Sequence, residues 1–107
     1  AMTQRPPRPL AAPARVIVTR HLVPAVEARM RELFDVVLNE ADAPLTRDKL
    51  AAAMQDCDVL VPTVTDRIDA DLIAGAGERL GLIANFGAGT EHIDLAAAAE
   101  RKIIVTN

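Results

Sequence analysis

The chain has 107 residues, half of them apolar, which allows one small domain with a real buried core. Its formal charge of −3 is built from interspersed acids and bases, and Phe34 and Phe86 are its only aromatic residues apart from two histidines, so neither a phosphate-backbone footprint nor a base-stacking platform is present and nucleic acid is excluded as an expected partner. A single cysteine excludes an intrachain disulfide, and no apolar run is long enough to span a bilayer, so a membrane is not an expected partner and the cytoplasm is the expected compartment.

Residues 1–14 hold four of the seven prolines and read as an extended or mobile tail, not a signal peptide. Arg5, Arg8 and Arg15 read as solubilising residues of that tail. "RVIVT" at 15–19 predicts a first buried strand. Pro24 opens a helix over "PAVEARMREL", with Val26, Met30 and Leu33 on one face. "FDVVLN" at 34–39 predicts the second strand, and Thr46 caps a helix in which Leu50 and Met54 point inward. "DVLVP" at 58–62 is the third strand, with Cys57 beside it as a small buried core residue. Asp69 caps a short helix that exits through Gly75 or Gly77. "LGLIAN" at 80–85 is the fourth strand, Asp94 caps "LAAAAERK" with its basic end at the helix C-terminus, and "IIVT" at 103–106 is the fifth strand.

The strands are continuous apolar runs rather than alternating ones, so both faces must be covered and the sheet must be parallel. The predicted fold is α/β, a flavodoxin-like doubly wound sheet of five strands in the order 2-1-3-4-5. The chain ends on a strand, where a covering helix is more usual, so it is expected to be a piece of a longer protein.

"NFGAGTEHID" at 85–94 follows the fourth strand. Its glycines do not fit G-x-G-x-x-G, whose place is after the first strand, so it is not a dinucleotide fingerprint. By its residues alone it reads first as a tight strand–helix turn. The second reading is an anion-binding loop, because ligands of open parallel sheets bind beyond the carboxyl ends of the strands and glycine lets amides approach closely. Pro62 and Thr63, in the loop after the third strand, sit at the same end; the plainer reading there is a strand terminator followed by turn formers Thr65 and Asp66. His21 and His92 read as surface residues, with no second ligand at metal spacing, so no metal is expected. Asp56 and Asp58 flank Cys57, but the acids of a response-regulator receiver belong after the first strand, where this chain has "VTRH".

"VIVTRHLVPAVEARM", "DVLVPTVTDRIDADLI" and "LIANFGAGTEHIDLAAAAERKIIVTN" together resemble the amino-terminal portion of the D-isomer-specific 2-hydroxyacid dehydrogenases, of the glyoxylate/hydroxypyruvate reductase kind. Glu91 stands where that family has Asp. The resemblance implies that residues 15–107 are part of a substrate-binding (catalytic) domain, with the nucleotide-binding domain outside this sequence. It implies a substrate site at Phe86, Gly87, Ala88 and Gly89, whose amides take the substrate carboxylate, with Pro62 and Thr63 on the other side and Asn107 at the interdomain crossing. It also implies NAD or NADP in the parent protein, none of it bound by this part, a small 2-oxo or 2-hydroxy carboxylate as substrate, and a homodimer. The family's fingerprint, substrate-orienting Arg and Glu–His pair come later, so no catalytic residue is expected here and the chain alone is expected to be inactive. Phosphite or formate oxidation on the same scaffold is an alternative within the enzyme class. The alternative from another class is a non-catalytic flavodoxin-like binding or regulatory module.

Overall fold

The computed structural model describes residues 14–39, 44–87 and 89–107; the tail to residue 13 and Ala88 lie outside them. The elements are β1 (Arg15–Val18), α1 (Pro24–Leu33), β2 (Asp35–Val37), α2 (Arg47–Asp56), β3 (Val59–Val61), α3 (Ala70–Ala74), β4 (Leu82–Ala84), α4 (Leu95–Glu100) and β5 (Ile104–Thr106). All five strands are parallel, in the order β2-β1-β3-β4-β5. This is the α/β order expected from the sequence. The paired strands are shorter than the apolar runs: Leu80 and Ile103 are buried before pairing begins, and Pro62 has no N–H to continue β3.

The continuous runs are explained by burial on both faces. Along β1, Ile17 joins the cluster under α2, α3 and α4, with Leu50, Met54, Leu60, Ile73 and Ile83. Its neighbours Val16 and Val18 join Leu22 and Val61 on the opposite face, against Met30 of α1. Cys57 is fully buried in the first cluster, and burial together with Asp58 and Asp56 raises its thiol pKa to about 12. The expected caps are present: Thr46, Asp69 and Asp94 accept from the backbone N–H groups of Lys49, Leu72 and Ala97. Among the described residues no helix is long and apolar enough to cross a membrane.

Three local expectations are corrected. Arg15 is not a solubilising tail residue. It opens β1, and its guanidinium binds Asp35 at 3.1 Å and Asp56 at 2.9 Å while its backbone N–H donates to Asp58 at 2.9 Å. In α1 Met30 packs inward as expected, but beside it lies Glu27, 7% exposed, whereas Val26 and Leu33 are 42% and 47% exposed. The cause is local, since the Glu27 carboxylate accepts from the Leu22 N–H at 2.9 Å and turns that side of the helix inward. The basic end of α4 serves α3 instead of its own helix: Arg101 Nη1 donates to the carbonyls of Ile73 at 2.8 Å and Ala76 at 2.7 Å, just past the end of α3.

Candidate functional site

In a parallel sheet every strand delivers its following loop to one edge. β3 and β4 are neighbours, so "PTVTDRID" and "NFGAGTEHID" lie side by side beyond that edge. They are joined by the backbone. Phe86 N–H donates to the Pro62 carbonyl at 2.8 Å, Ile68 N–H to the His92 carbonyl at 2.8 Å, and Asp94 N–H to the Ile68 carbonyl at 2.9 Å. The last two bonds make a parallel bridge between Ile68 and Ile93. Two loops that would be mobile singly thus form one platform, sealed beneath by Ile68 and Ile93.

The loop after β3 is tied inward by Asp66, which is 2% exposed. Its Oδ2 accepts from the Thr63 N–H at 3.0 Å and also from the Thr19 hydroxyl at the end of β1. Asn39 Nδ2 in turn donates to the Thr19 carbonyl at 2.6 Å. A buried carboxylate needs such donors to replace water. Thr63 is half-buried, and its hydroxyl is 2.9 Å from that of Thr65.

The loop after β4 is shaped by Asn85. Its backbone N–H donates to the Thr106 carbonyl at 2.9 Å, which fixes it to the sheet beside the start of Asn107. Its side-chain Nδ2 donates to the Gly89 carbonyl at 2.8 Å, and its Oδ1 is 2.8 Å from His92 Nε2. Between Asn85 and Gly89 the chain turns at Gly87 with φ of +148°, a conformation that suits glycine. Among the described residues nothing accepts from the backbone N–H of Gly87 or Gly89. Unpaired N–H groups on a turn are what an anion-binding loop offers. The carboxylate of Glu91 lies where a side chain on Gly89 would project.

The structure brings Pro62, Thr63, Phe86, Gly87, Gly89 and Asn107 to one edge of the sheet. Ala88 lies outside the described residues. Pro62 is fully buried, so what it presents is its carbonyl to Phe86 rather than its ring to a ligand. Phe86 is half-exposed, and Gly87 and Asn107 are exposed. Reading the sequence missed Asn85 and Thr19, and saw Asp66 only as a turn former. The available signal was a polar residue at the end of an apolar strand, as in "LIAN" and "VIVT". Of the two histidines, His21 is exposed, 3.7 Å from Glu27, and His92 is part-buried against Asn85.

A cavity of about 230 Å³ opens beside the glycine loop, between Arg67–Asp69 and Glu91–Asp94. A larger one, about 380 Å³, lies between β1, β2 and α2, and contains none of the candidate residues. The residues present do not fit a nicotinamide dinucleotide. The turn from β1 into α1, "TRHLVPAV", has no glycine, and Glu27 places a carboxylate in the first turn where a pyrophosphate would need N–H groups.

The family described as D-isomer specific 2-hydroxyacid dehydrogenase, catalytic domain, matches residues 16–107. A glyoxylate reductase of Korarchaeum cryptofilum is 34% identical over 93 residues, which are 87% of this chain and 28% of that protein. The chain therefore spans under a third of the length of such relatives. Among solved structures, a Polaromonas protein described as a D-isomer specific 2-hydroxyacid dehydrogenase, NAD-binding, superposes with a TM-score of 0.82 at 34% identity, over 88% of this chain and 30% of that one. The NAD+-bound 3-phosphoglycerate dehydrogenase of Entamoeba histolytica superposes with a TM-score of 0.71 at 26% identity, over 88% of this chain and 32% of that one.

Proposed function

The chain belongs to the D-isomer specific 2-hydroxyacid dehydrogenase family, within its catalytic domain, and on that premise we propose that it is the substrate-binding portion of an NAD(P)-dependent enzyme that reduces a small 2-oxo acid, such as glyoxylate or hydroxypyruvate, to the 2-hydroxy acid. The observation that carries this reading is the glycine loop at the carboxyl edge of the sheet, in which no described residue accepts from the amides of Gly87 and Gly89. The substrate carboxylate rests on the amides of Gly87, Ala88 and Gly89. Amides held in place by the fold bind an anion without reorganising first, and they stay uncharged at every pH. Phe86 flanks the anion with an apolar face, Thr63 offers a hydroxyl from the neighbouring loop, and Asn107 continues the edge at β5. Pro62 joins the two loops through its carbonyl. Residues 15–107 act as one unit, the substrate-binding domain. The nicotinamide, the group that donates a proton and the cation that orients the substrate belong to another part of a cytoplasmic, homodimeric protein, so the 107-residue chain alone does not turn over.

The test is a titration of the ¹⁵N-labelled chain with glyoxylate, followed residue by residue in NMR spectra, with NADH as a control. Saturable shifts are expected at Gly87 and Gly89 and not at core positions such as Leu60, and NADH is expected to move neither glycine. Shifts that avoid both glycines at saturating glyoxylate overturn the assignment.

A further inference from the structure

We propose that Asn85 and His92 are positioning residues for the glycine loop: together they fix Gly89, and with it the turn at Gly87, in place for a carboxylate. The proposal rests on the reading of that loop as a carboxylate cradle. Asn85 is 5% exposed, and its main chain is fixed to β5 through Thr106. The side chain spans the loop as a clasp, from the end of β4 to the carbonyl of Gly89. A carbonyl can only accept, so Nδ2 must face Gly89 and Oδ1 must face His92. His92 Nε2 therefore donates, at 2.8 Å. The ring locks the amide in one orientation, and the amide locks the loop. His92 is held from behind, because its own carbonyl accepts from Ile68 of the neighbouring loop.

Two glycines in five residues leave the free loop many conformations, and an anion binds only the one in which the amides converge. A buried clasp removes that freedom before the ligand arrives, which is how preorganisation raises affinity without a new contact. The clasp is also indifferent to protonation. The neutral Nε2–H tautomer and the imidazolium both donate from Nε2, so the bond to Asn85 survives in either state. The charged groups that share a cavity with His92 are Arg67, Asp69, Glu91 and Asp94. None of them takes part in the Asn85 bond. His92 thus acts on the loop through Asn85 and not by presenting its charge to the ligand.

The experiment compares the 107-residue chain with its Asn85→Leu, His92→Phe and His92→Gln variants. Leucine keeps the volume of Asn85 without its donor, phenylalanine keeps the ring of His92 without Nε2, and glutamine restores a donor. The first readout needs no ligand: the heteronuclear NOE of the Gly87 and Gly89 amides. It is expected to fall in Asn85→Leu and His92→Phe, stay unchanged at strand amides, and recover in His92→Gln. The second is the glyoxylate dissociation constant, expected to rise about tenfold in the first two variants and to return in the third. The ratio of the wild-type constant to that of His92→Gln is expected to stay level from about pH 5.5 to 8. Unchanged NOE values in His92→Phe overturn the proposal. So does wild-type binding that tightens at low pH while His92→Gln does not follow. Should Asn85→Leu fail to fold, the two His92 variants decide alone. A clasp that orders the loop in a chain with no affinity for glyoxylate would uphold the positioning role and refute the carboxylate cradle instead.

Discussion

Gly87 and Gly89 look interchangeable in the sequence and are not. At Gly87 the backbone φ is +148°, so any side chain is strained there, whatever the surrounding space. At Gly89 a Cβ meets only the carboxyl end of Glu91, which is exposed and free to swing away. Gly87→Ala is therefore expected to destabilise the chain by about 1–3 kcal/mol, the usual size of backbone strain, and Gly89→Ala by far less. Urea denaturation of both variants checks this, and equal midpoints for the two would refute the distinction. The pair of glycines was legible from "GAG". Which glycine carries the turn was not, because φ at one residue follows from where the loop's two ends are tied. Here they are tied by Asn85 and by the Ile68–Ile93 bridge.

Helix starts were the most readable elements. Thr46, Asp69 and Asp94 were each identified as caps from a short polar residue ahead of an apolar repeat, and each caps its helix through its side-chain oxygen. Asp69 does more, since Arg47 of α2 reaches across to it at 2.9 Å. The Arg47 hydrogen bond, then the Leu72 N–H, lowers the Asp69 pKa to about 2. A carboxylate whose folded pKa lies below its unfolded value of about 3.9 contributes stability above that value. Its contribution is lost as pH falls through about 2, so the window runs from roughly pH 4 down to 2. In Arg47→Met the Asp69 carboxyl, followed by its ¹³C shift, is expected to titrate at a higher pH than in the wild type, while the Leu72 bond keeps it below the ordinary range. A midpoint that does not move would assign the shift to the cap alone. Helix faces were harder to read. Of the repeat Val26, Met30 and Leu33 only Met30 faces the core, and Glu27, buried where it bonds to the Leu22 N–H, leaves no periodic trace.

The whole molecule is unevenly covered. Among the described residues, one face of the sheet lies under α2, α3 and α4, and the other under α1. α1 shelters β1 and its neighbours, but Ile104 on the edge strand β5 is 64% exposed. Val26, Leu33, Phe34 and Val37 add exposed apolar area around α1 and the opposite edge. Open strand edges and apolar patches favour association. The chain is expected to self-associate with rising concentration, and Ile104→Lys is expected to weaken that association. The same substitution should change monomer stability by no more than about 0.5 kcal/mol, because the side chain is already mostly in water. Sedimentation velocity over a concentration series, paired with thermal unfolding at low concentration, reads both effects. A wild type that stays monomeric throughout refutes the first expectation, and a large fall in stability refutes the second.

By itself the sequence determined the order of elements and the parallel sheet, because apolar runs, caps and two-sided burial are local signals, whereas the strand order β2-β1-β3-β4-β5 was decided by the tertiary structure. It also determined the family, through a loop whose residues are contiguous. Only the tertiary structure decided which residues far apart in the chain are tied to one another. Asp66 reaches Thr19 across 47 positions, Arg15 reaches Asp56 across 41, and Arg101 reaches Ile73 across 28. Such bonds depend on which elements the fold brings side by side, and no pattern in neighbouring residues records that meeting.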